Sequence, residues 1–351
     1  MGKKLKQFNI ESVARYKRVA VNTTVVVLAC VVLGVALMGG RTFWEHVMAV
    51  PPMVLVVLAV ASVHENWVRI YRYKIFSRAL NLHVPWPRMV LYYVAGMALL
   101  PTPGKVGVVL RLWLLHHHHN IPYRRSAPLL MMDVMTDTLA MMVLIGVGMV
   151  SMGHVHSAAL GLMILSGVMV GIFTVLALPK VAIRGIKLLY WMVGKRAPRL
   201  FATLMTLVML LHKLMGWRVL ISCTLLSLMA WAGFGFAISY SLMLMGFDVG
   251  WNLGGFALAV GTVLGVVSMA PAGVGGAEGT MWAILTGAGV ASASAFIITM
   301  LARLMVIWIP VGVGFMALPW ALQAPDATAG SGVDMPKVSG KVTPSKRKIR
   351  S

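Results

Sequence analysis

Long apolar segments separated by short basic or polar connections run through most of the sequence. A helix needs about 20 apolar residues to cross the hydrocarbon core of a bilayer. The pattern predicts an all-α polytopic integral membrane protein, with a single membrane domain over residues 21–323. About six full spans are expected, at residues 21–39, 47–63, 127–150, 157–178, 218–245 and 293–320.

Two further apolar regions, residues 89–116 and 252–290, are each interrupted by proline and glycine. The pieces of the first are about 13 residues long, or roughly 20 Å of helix, which is too short to span. Non-helical backbone is tolerated at membrane depth only where protein or a wet cavity shields it. We therefore expect two re-entrant helical hairpins, although the first piece of the second region is long enough to span alone. Their tips contain Pro101, Pro103, Gly104 and Gly107 in the first, and Pro271, Gly273, Gly275 and Gly276 in the second.

Basic residues lie mainly in the termini and in the short connections, among them an expected cytoplasmic loop at residues 69–88 that contains Arg69 and Arg72. The net charge is +22 and 59% of the residues are hydrophobic. This distribution is typical of a cytoplasmic membrane face that touches anionic headgroups, and it does not favour a nucleic-acid partner. Both termini are expected in the cytoplasm: residues 1–20 as a basic segment and residues 324–351 as a disordered basic tail. Residues 180–215, which mix basic and apolar side chains, are expected to form a cytoplasmic interfacial segment.

The two interrupted regions suggest an internal repeat. Pro101 precedes Asp133 by 32 residues, and Pro271 precedes Arg303 by 32 residues. With this topology the first hairpin enters from the cytoplasm and the second from outside, so a pseudo-twofold axis in the membrane plane would relate the halves. Such inverted repeats with a midplane cavity are typical of secondary transporters.

Four segments carry a resemblance to a known family: "PTPGKVGVVLRLWLL", "MMDVMTD", "MAPAGVGGAEGTMWAILTGAGV" and "FIITMLARLMVIWIP". Over about residues 20–320 the chain resembles the membrane domain of the lysylphosphatidylglycerol synthases. The resemblance implies a stand-alone, flippase-like protein of the bacterial or archaeal inner membrane, without synthase activity, that moves a phospholipid or lipid-linked glycan. Two positions depart from the family pattern, Val108 in place of a glutamate and Val134 in place of an arginine, and they weigh against proton coupling.

Charged residues in or beside the apolar elements are the candidate substrate-binding residues. An unpaired charge in the bilayer is costly, so each is expected to meet substrate or another side chain. One interpretation gives them substrate or proton contacts; the other makes structural ion pairs of Glu278 with Arg303, and of Asp133 or Asp137 with Arg111. Lys105 has no obvious acidic partner, so we expect it to contact a substrate phosphate, with Arg111 mainly structural. The complete set is Lys105, Arg111, Asp133, Asp137, Glu278 and Arg303.

Other function classes have weaker support. An intramembrane headgroup transferase would need a nucleophile or metal cluster, and only His64 with Glu65 is a weak candidate. A non-transporting partner that recruits a lipid-modifying enzyme or glycosyltransferase would use residues 180–215. We expect no catalytic residue, no cofactor and no metal site, since the four adjacent residues His116–His119 cannot all face one ion. Anionic membrane lipids are the expected ligands; the oligomeric state stays open.

Overall fold

The computed structural model describes residues 47–100, 106–151, 179–192, 217–268 and 273–323, with single positions at 45, 167, 201, 205 and 209. These residues are predominantly helical and contain no strand. In chain order the helices are α1 Pro52–Ala79, α2 Trp86–Met97, α3 Val106–His119, α4 Tyr123–Ser151, α5 Pro179–Met192, α6 Trp217–Leu244, α7 Leu253–Val267, α8 Gly276–Gly287, α9 Ser292–Arg303 and α10 Ile309–Leu322. A π-helical turn, Leu304–Trp308, joins α9 to α10.

Within the described residues, four helices are long and apolar enough to cross a membrane. They are Pro52–Ala79, Arg125–Ser151, Arg218–Leu244 and Ser292–Leu322. The predicted spans at 21–39 and 157–178 lie outside the described residues, as do the terminal segments 1–20 and 324–351. The remaining four predicted spans correspond to these helices.

One boundary prediction was wrong. The sequence predicted that a span over residues 47–63 would end in a cytoplasmic loop, because Arg69 and Arg72 follow it. The helix instead continues to Ala79, and Arg72 is completely buried. Both arginines contact side chains of other helices inside the protein. They therefore lie partway along α1 and do not mark its end.

The helices repeat in a common order: a long helix, two short helices and a second long stretch. In the first half these are α1, α2 with α3, and α4; in the second they are α6, α7 with α8, and α9 continuing into α10. Each half covers the short helices of the other, since α10 packs on α2 and α4 packs on α7. The packing pattern is therefore preserved when the two halves are exchanged.

The first long helices of the two halves, α1 and α6, run antiparallel. Arg72 of α1 contacts Ser227 of α6, and the Arg69 guanidinium lies over the ring of Trp231. The residue nearer the N-terminus of α1 contacts the residue nearer the C-terminus of α6, so the two helices run in opposite directions.

Glycine permits close approach at the helix crossings. A Cβ on Gly107 of α3 would overlap the carbonyl oxygen of Gly96 on α2. A Cβ on Gly314 of α10 would similarly overlap the backbone nitrogen of Ala98, just beyond α2. The short helices and their covering helix thus pack backbone to backbone, as small residues allow in membrane interiors.

The π-helical turn lies just before Pro310. In a π-helix the N–H of each residue bonds to the carbonyl five residues earlier, but Pro310 has no N–H to offer Met305. The hydroxyl of Ser62 on α1 donates to the Met305 carbonyl oxygen at 2.6 Å instead. The second half is therefore tied to α1 at the turn just after Arg303.

Candidate functional site: a buried charge network

Five charged residues form a network, here called the charge network, between two apolar clusters. The network comprises Glu65, Arg69, Arg72, Asp133 and Asp137. One cluster contains residues of α7 and α8, and the other contains residues of α2 and α3. Its members lie near the middle of α1 and α4. Residues of α7 and α8 pack on one side of the network, and residues of α2 and α3 pack on the other.

Helical spacing brings these side chains together. Positions three or four residues apart lie on the same helix face, so Glu65, Arg69 and Arg72 share one face of α1. Asp133 and Asp137, four residues apart, share a face of α4. The two faces meet inside the protein and place carboxylates opposite guanidinium groups.

Arg72 is the centre of the network. Its Nη2 donates to Asp133 Oδ1, and its Nη1 donates to Asp137 Oδ1 and to the hydroxyl of Ser227 on α6. The side chain is fully buried, so these charge-assisted bonds replace the water that it has lost. Three long helices are therefore joined at one guanidinium group.

Arg69 bridges two carboxylates. Its Nη2 lies 2.7 Å from Glu65 Oε1, and its Nη1 lies 3.4 Å from Asp137 Oδ2. The indole ring of Trp231 covers the guanidinium, with 4.8 Å between its Cζ atom and the ring centroid. The remaining carboxylate oxygen of Glu65, Oε2, is buried and has no hydrogen-bond partner among the described residues.

Arg111 does not pair with Asp133 or Asp137, so that interpretation of its role was wrong. Both aspartates bond to Arg72. Arg111 instead lies over the ring of Tyr93, with 3.6 Å between its Cζ atom and the ring centroid. It is only 4% exposed, and within the described residues it forms no ion pair with a carboxylate.

The ion pair between Glu278 and Arg303, which one of the two interpretations predicted, is present. Arg303 Nε donates to Glu278 Oε1 at 2.7 Å, and the backbone N–H of Gly275 donates to Glu278 Oε2 at 2.8 Å. Gly275 has a φ of 84° and Gly273 a φ of 70°, in the left-handed region that favours glycine. One carboxylate therefore joins the start of α8 to the end of α9, and Gly276 is the first residue of α8.

The first tip is only partly described. Pro101, Pro103, Gly104 and Lys105 lie outside the described residues, as does Pro271 of the second tip. Gly107 lies in the first turn of α3, which begins at Val106. The contact predicted for Lys105 stays a prediction.

The sequence interpretation missed three members of the charge network. Glu65 was considered only for a transferase, while Arg69 and Arg72 were assigned to a loop. The usable signal was their spacing of four and then three residues, within a segment that keeps an apolar residue at most intervening positions. This pattern predicts one polar stripe on a continuing helix.

The described residues contain no group of three or more histidine, cysteine, aspartate or glutamate side chains that could hold a metal ion. His118 contacts the Tyr92 hydroxyl through Nδ1 at 2.8 Å, and the ring of His117 stacks on Trp113. These side chains pack against aromatic neighbours around the end of α3.

The family model for the lysylphosphatidylglycerol synthase TM region matches residues 19–314. No individual curated protein matches the sequence. The match covers most of the chain and includes every member of the charge network. Together with the apolar helices, it identifies a multi-pass membrane protein tied to lipid metabolism.

Proposed function

This chain belongs to the lysylphosphatidylglycerol synthase TM family, and on that premise we propose that it moves an anionic lipid between the leaflets of the inner membrane. The substrate is a phospholipid or another lipid-linked anion. Both termini are cytoplasmic, and the two pairs of short helices form re-entrant hairpins of an inverted repeat. The antiparallel course of α1 and α6 supports this symmetry, because a parallel repeat would orient these helices alike.

The single observation that carries the proposal is Arg111. A cation that is 4% exposed, and that meets only aromatic rings among the described residues, is costly to keep inside a membrane protein. Its ring contacts with Tyr93 and Tyr73 offset part of that cost and leave its capacity for an anion unused. A lipid phosphate entering beside α3 supplies the missing charge.

Lys105 is proposed to act with Arg111. It immediately precedes α3, and the helix dipole gives the N-terminus of α3 partial positive charge. Lysine, backbone N–H groups and Arg111 would then meet one phosphate in sequence as the lipid moves inward. The charge network, which uses its own arginines, holds the surrounding helices in register.

Leaflet exchange in reconstituted vesicles tests the proposal. The probe is fluorescent phosphatidylglycerol in vesicles of phosphatidylcholine and phosphatidylglycerol, with fluorescent phosphatidylcholine as the neutral-headgroup comparison. We expect the wild type to exchange the anionic probe, and Lys105→Met and Arg111→Met to lose at least ten-fold in rate while remaining folded. Arg88→Met, at the start of α2, is the matched control for removing a cation near the first hairpin.

Other outcomes identify the alternatives. Conversion of the headgroup without exchange would support an intramembrane transferase. Neither conversion nor exchange would support a non-transporting partner of a lipid-modifying enzyme. Normal exchange by both Lys105→Met and Arg111→Met would overturn the proposed phosphate site.

A further inference from the structure

We propose that Glu65 is a proton-binding site of the charge network and that it holds its proton in the resting protein. The inference rests on geometry at Glu65 itself. The infrared test of this proton site depends only on that geometry. The test of its coupling to lipid exchange also rests on the proposed lipid transport.

Glu65 is poorly placed to remain a carboxylate. It is 3% exposed, and only Oε1 meets a cation, Arg69. Oε2 is buried with no hydrogen-bond partner among the described residues. A buried ionised oxygen without a donor is far more costly than a buried neutral hydroxyl. A proton on Oε2 removes that charge and leaves the bond from Arg69 to Oε1 in place.

The other carboxylates nearby are better stabilised by cations than Glu65. Asp133 and Asp137 both accept charge-assisted bonds from Arg72, and Asp137 also faces Arg69. Arg69 is thus divided between Glu65 and Asp137. Among carboxyls that share cations, a proton goes to the one whose ionised form is least stabilised, which is Glu65.

Charged groups that act on Glu65 come from two helices. Arg69 and Arg72 lie on its own helix, and Asp137 faces it from α4. From α6, the near side chains are the uncharged Ser227 and Trp231, and the indole N–H of Trp231 is likewise buried without a partner in the described structure. His64, adjacent in sequence, lies against Gly233.

Trp231 offers an anion a second donor beside Arg69, because its buried indole N–H has no partner in the described structure. An anionic headgroup that reaches Arg69 competes with Glu65 for this guanidinium. Glu65 is then more costly as a carboxylate, so anion binding favours its protonated form, and protonation favours anion binding by the same factor. Glu65 would therefore keep its proton while the anionic lipid passes the network.

Infrared spectroscopy tests the proton site without any transport measurement. The sequence contains four glutamates, Glu11, Glu45, Glu65 and Glu278. Glutamate labelled with ¹³C at the side-chain carboxyl shifts only their bands. We expect purified wild type at neutral pH to show a label-sensitive band of a protonated carboxyl. It should be absent in Glu65→Gln and retained in Glu278→Gln, whose native carboxylate has donors on both oxygens.

Absence of the band in labelled wild type would overturn the proposal, and so would its persistence in a folded Glu65→Gln protein. If Glu65→Gln fails to fold, the wild-type spectrum still decides the first point. Titration of the wild type to alkaline pH, in deuterated and in ordinary water, then decides whether the protonated carboxyl is shielded from solvent.

Coupling is tested in the same vesicles as transport. Wild type is expected to exchange fluorescent phosphatidylglycerol several-fold faster at mildly acidic than at alkaline pH, whereas Glu65→Gln, which mimics the protonated form, is expected to show a constant rate. An identical pH response in both proteins would overturn the coupling. If wild type exchanges no lipid, the transport proposal fails, while the infrared result on Glu65 stands by itself.

Discussion

Arg111 lies face-on to Tyr93, with its guanidinium carbon 3.6 Å from the centroid of the ring. Gly96 makes this position available, because a Cβ there would lie 2.6 Å from Arg111 Cγ. The cation is held by the electron-rich ring face and not by a carboxylate in the described structure. Its removal therefore leaves no buried anion behind, in contrast to the removal of Arg72.

This contrast predicts different stabilities for two arginine variants. Arg111→Met is expected to lower the free energy of unfolding by about 0.5–2 kcal/mol, the range of a cation–π contact. Arg72→Met removes the cation that pairs with Asp133 and one of the cations near Asp137, and it is expected to cost about 3–5 kcal/mol. Thermal unfolding in detergent measures both, and equal losses would contradict the assignment of Arg111 as unpaired.

The pair of Glu278 and Arg303 predicts a rescue. Glu278→Gln or Arg303→Met alone breaks this largely buried ion pair and is expected to destabilise the protein. The double variant removes both charges and is expected to recover most of the stability. If lipid exchange recovers as well, the pair is structural; if the folded double variant is inactive, Glu278 or Arg303 also contacts substrate or protons.

Ser62 predicts a coupling to Pro310. Ser62→Ala leaves the Met305 carbonyl without its donor and is expected to cost about 1–3 kcal/mol. Pro310→Ala restores a backbone N–H that can serve the freed carbonyl, so Ser62→Ala should cost less in that background. Thermal unfolding of the two single variants and the double variant gives the coupling, and additive effects would show that Ser62 acts elsewhere.

His118 predicts a loss of stability in acid. Its burial, and then the neighbouring charges of His117 and His119, lower the pKa of His118 to about 4. Because the pKa in the folded state lies below that of an unfolded histidine, about 6.5, the unfolded chain binds more protons between these values. Stability contributed by neutral His118 is therefore complete above the higher value and falls as the pH drops toward the lower one.

Thermal unfolding from neutral to mildly acidic pH measures this contribution. His118→Gln is expected to lose less stability on acidification than wild type, and His83→Gln, at an exposed position, is the matched control. A steeper acid response in His118→Gln would contradict the sign.

Membrane topology predicts which introduced cysteines react from outside. After replacement of Cys30 and Cys223, Pro122→Cys and Tyr190→Cys are expected to be shielded from an impermeant reagent in intact cells, and His154→Cys is expected to react. Labelling of position 122 from outside would remove the cytoplasmic entry of the first hairpin.

Sequence alone could predict the helical class and the approximate positions of the four described spans, because each contains an 18-residue stretch of high mean hydropathy. It also offered the pair of Glu278 and Arg303 as one of two interpretations, since an acidic tip precedes an arginine inside an apolar helix. Both features depend on local composition. The family resemblance and the family match agree on the same part of the chain.

The partners of Asp133 and Asp137 could not be predicted in this way. Arg111 and Arg72 were both available as cations, and the choice depends on how α1 approaches α4. Gly96 lets Arg111 pack between α2 and its own helix, while Ser227 on α6 orients Arg72. These tertiary contacts are not reflected in the periodicity of the sequence.

The exchange of covering helices between the halves sets an order for biosynthesis. Helix α2 ends at Met97, whereas α10, which covers it, begins only at Ile309. At about 5–20 residues per second, translation separates them by roughly 10–40 s. During that interval the backbone face that will meet Gly314 lacks its covering helix, so the first half of the protein reaches its final packing after the second half has been made.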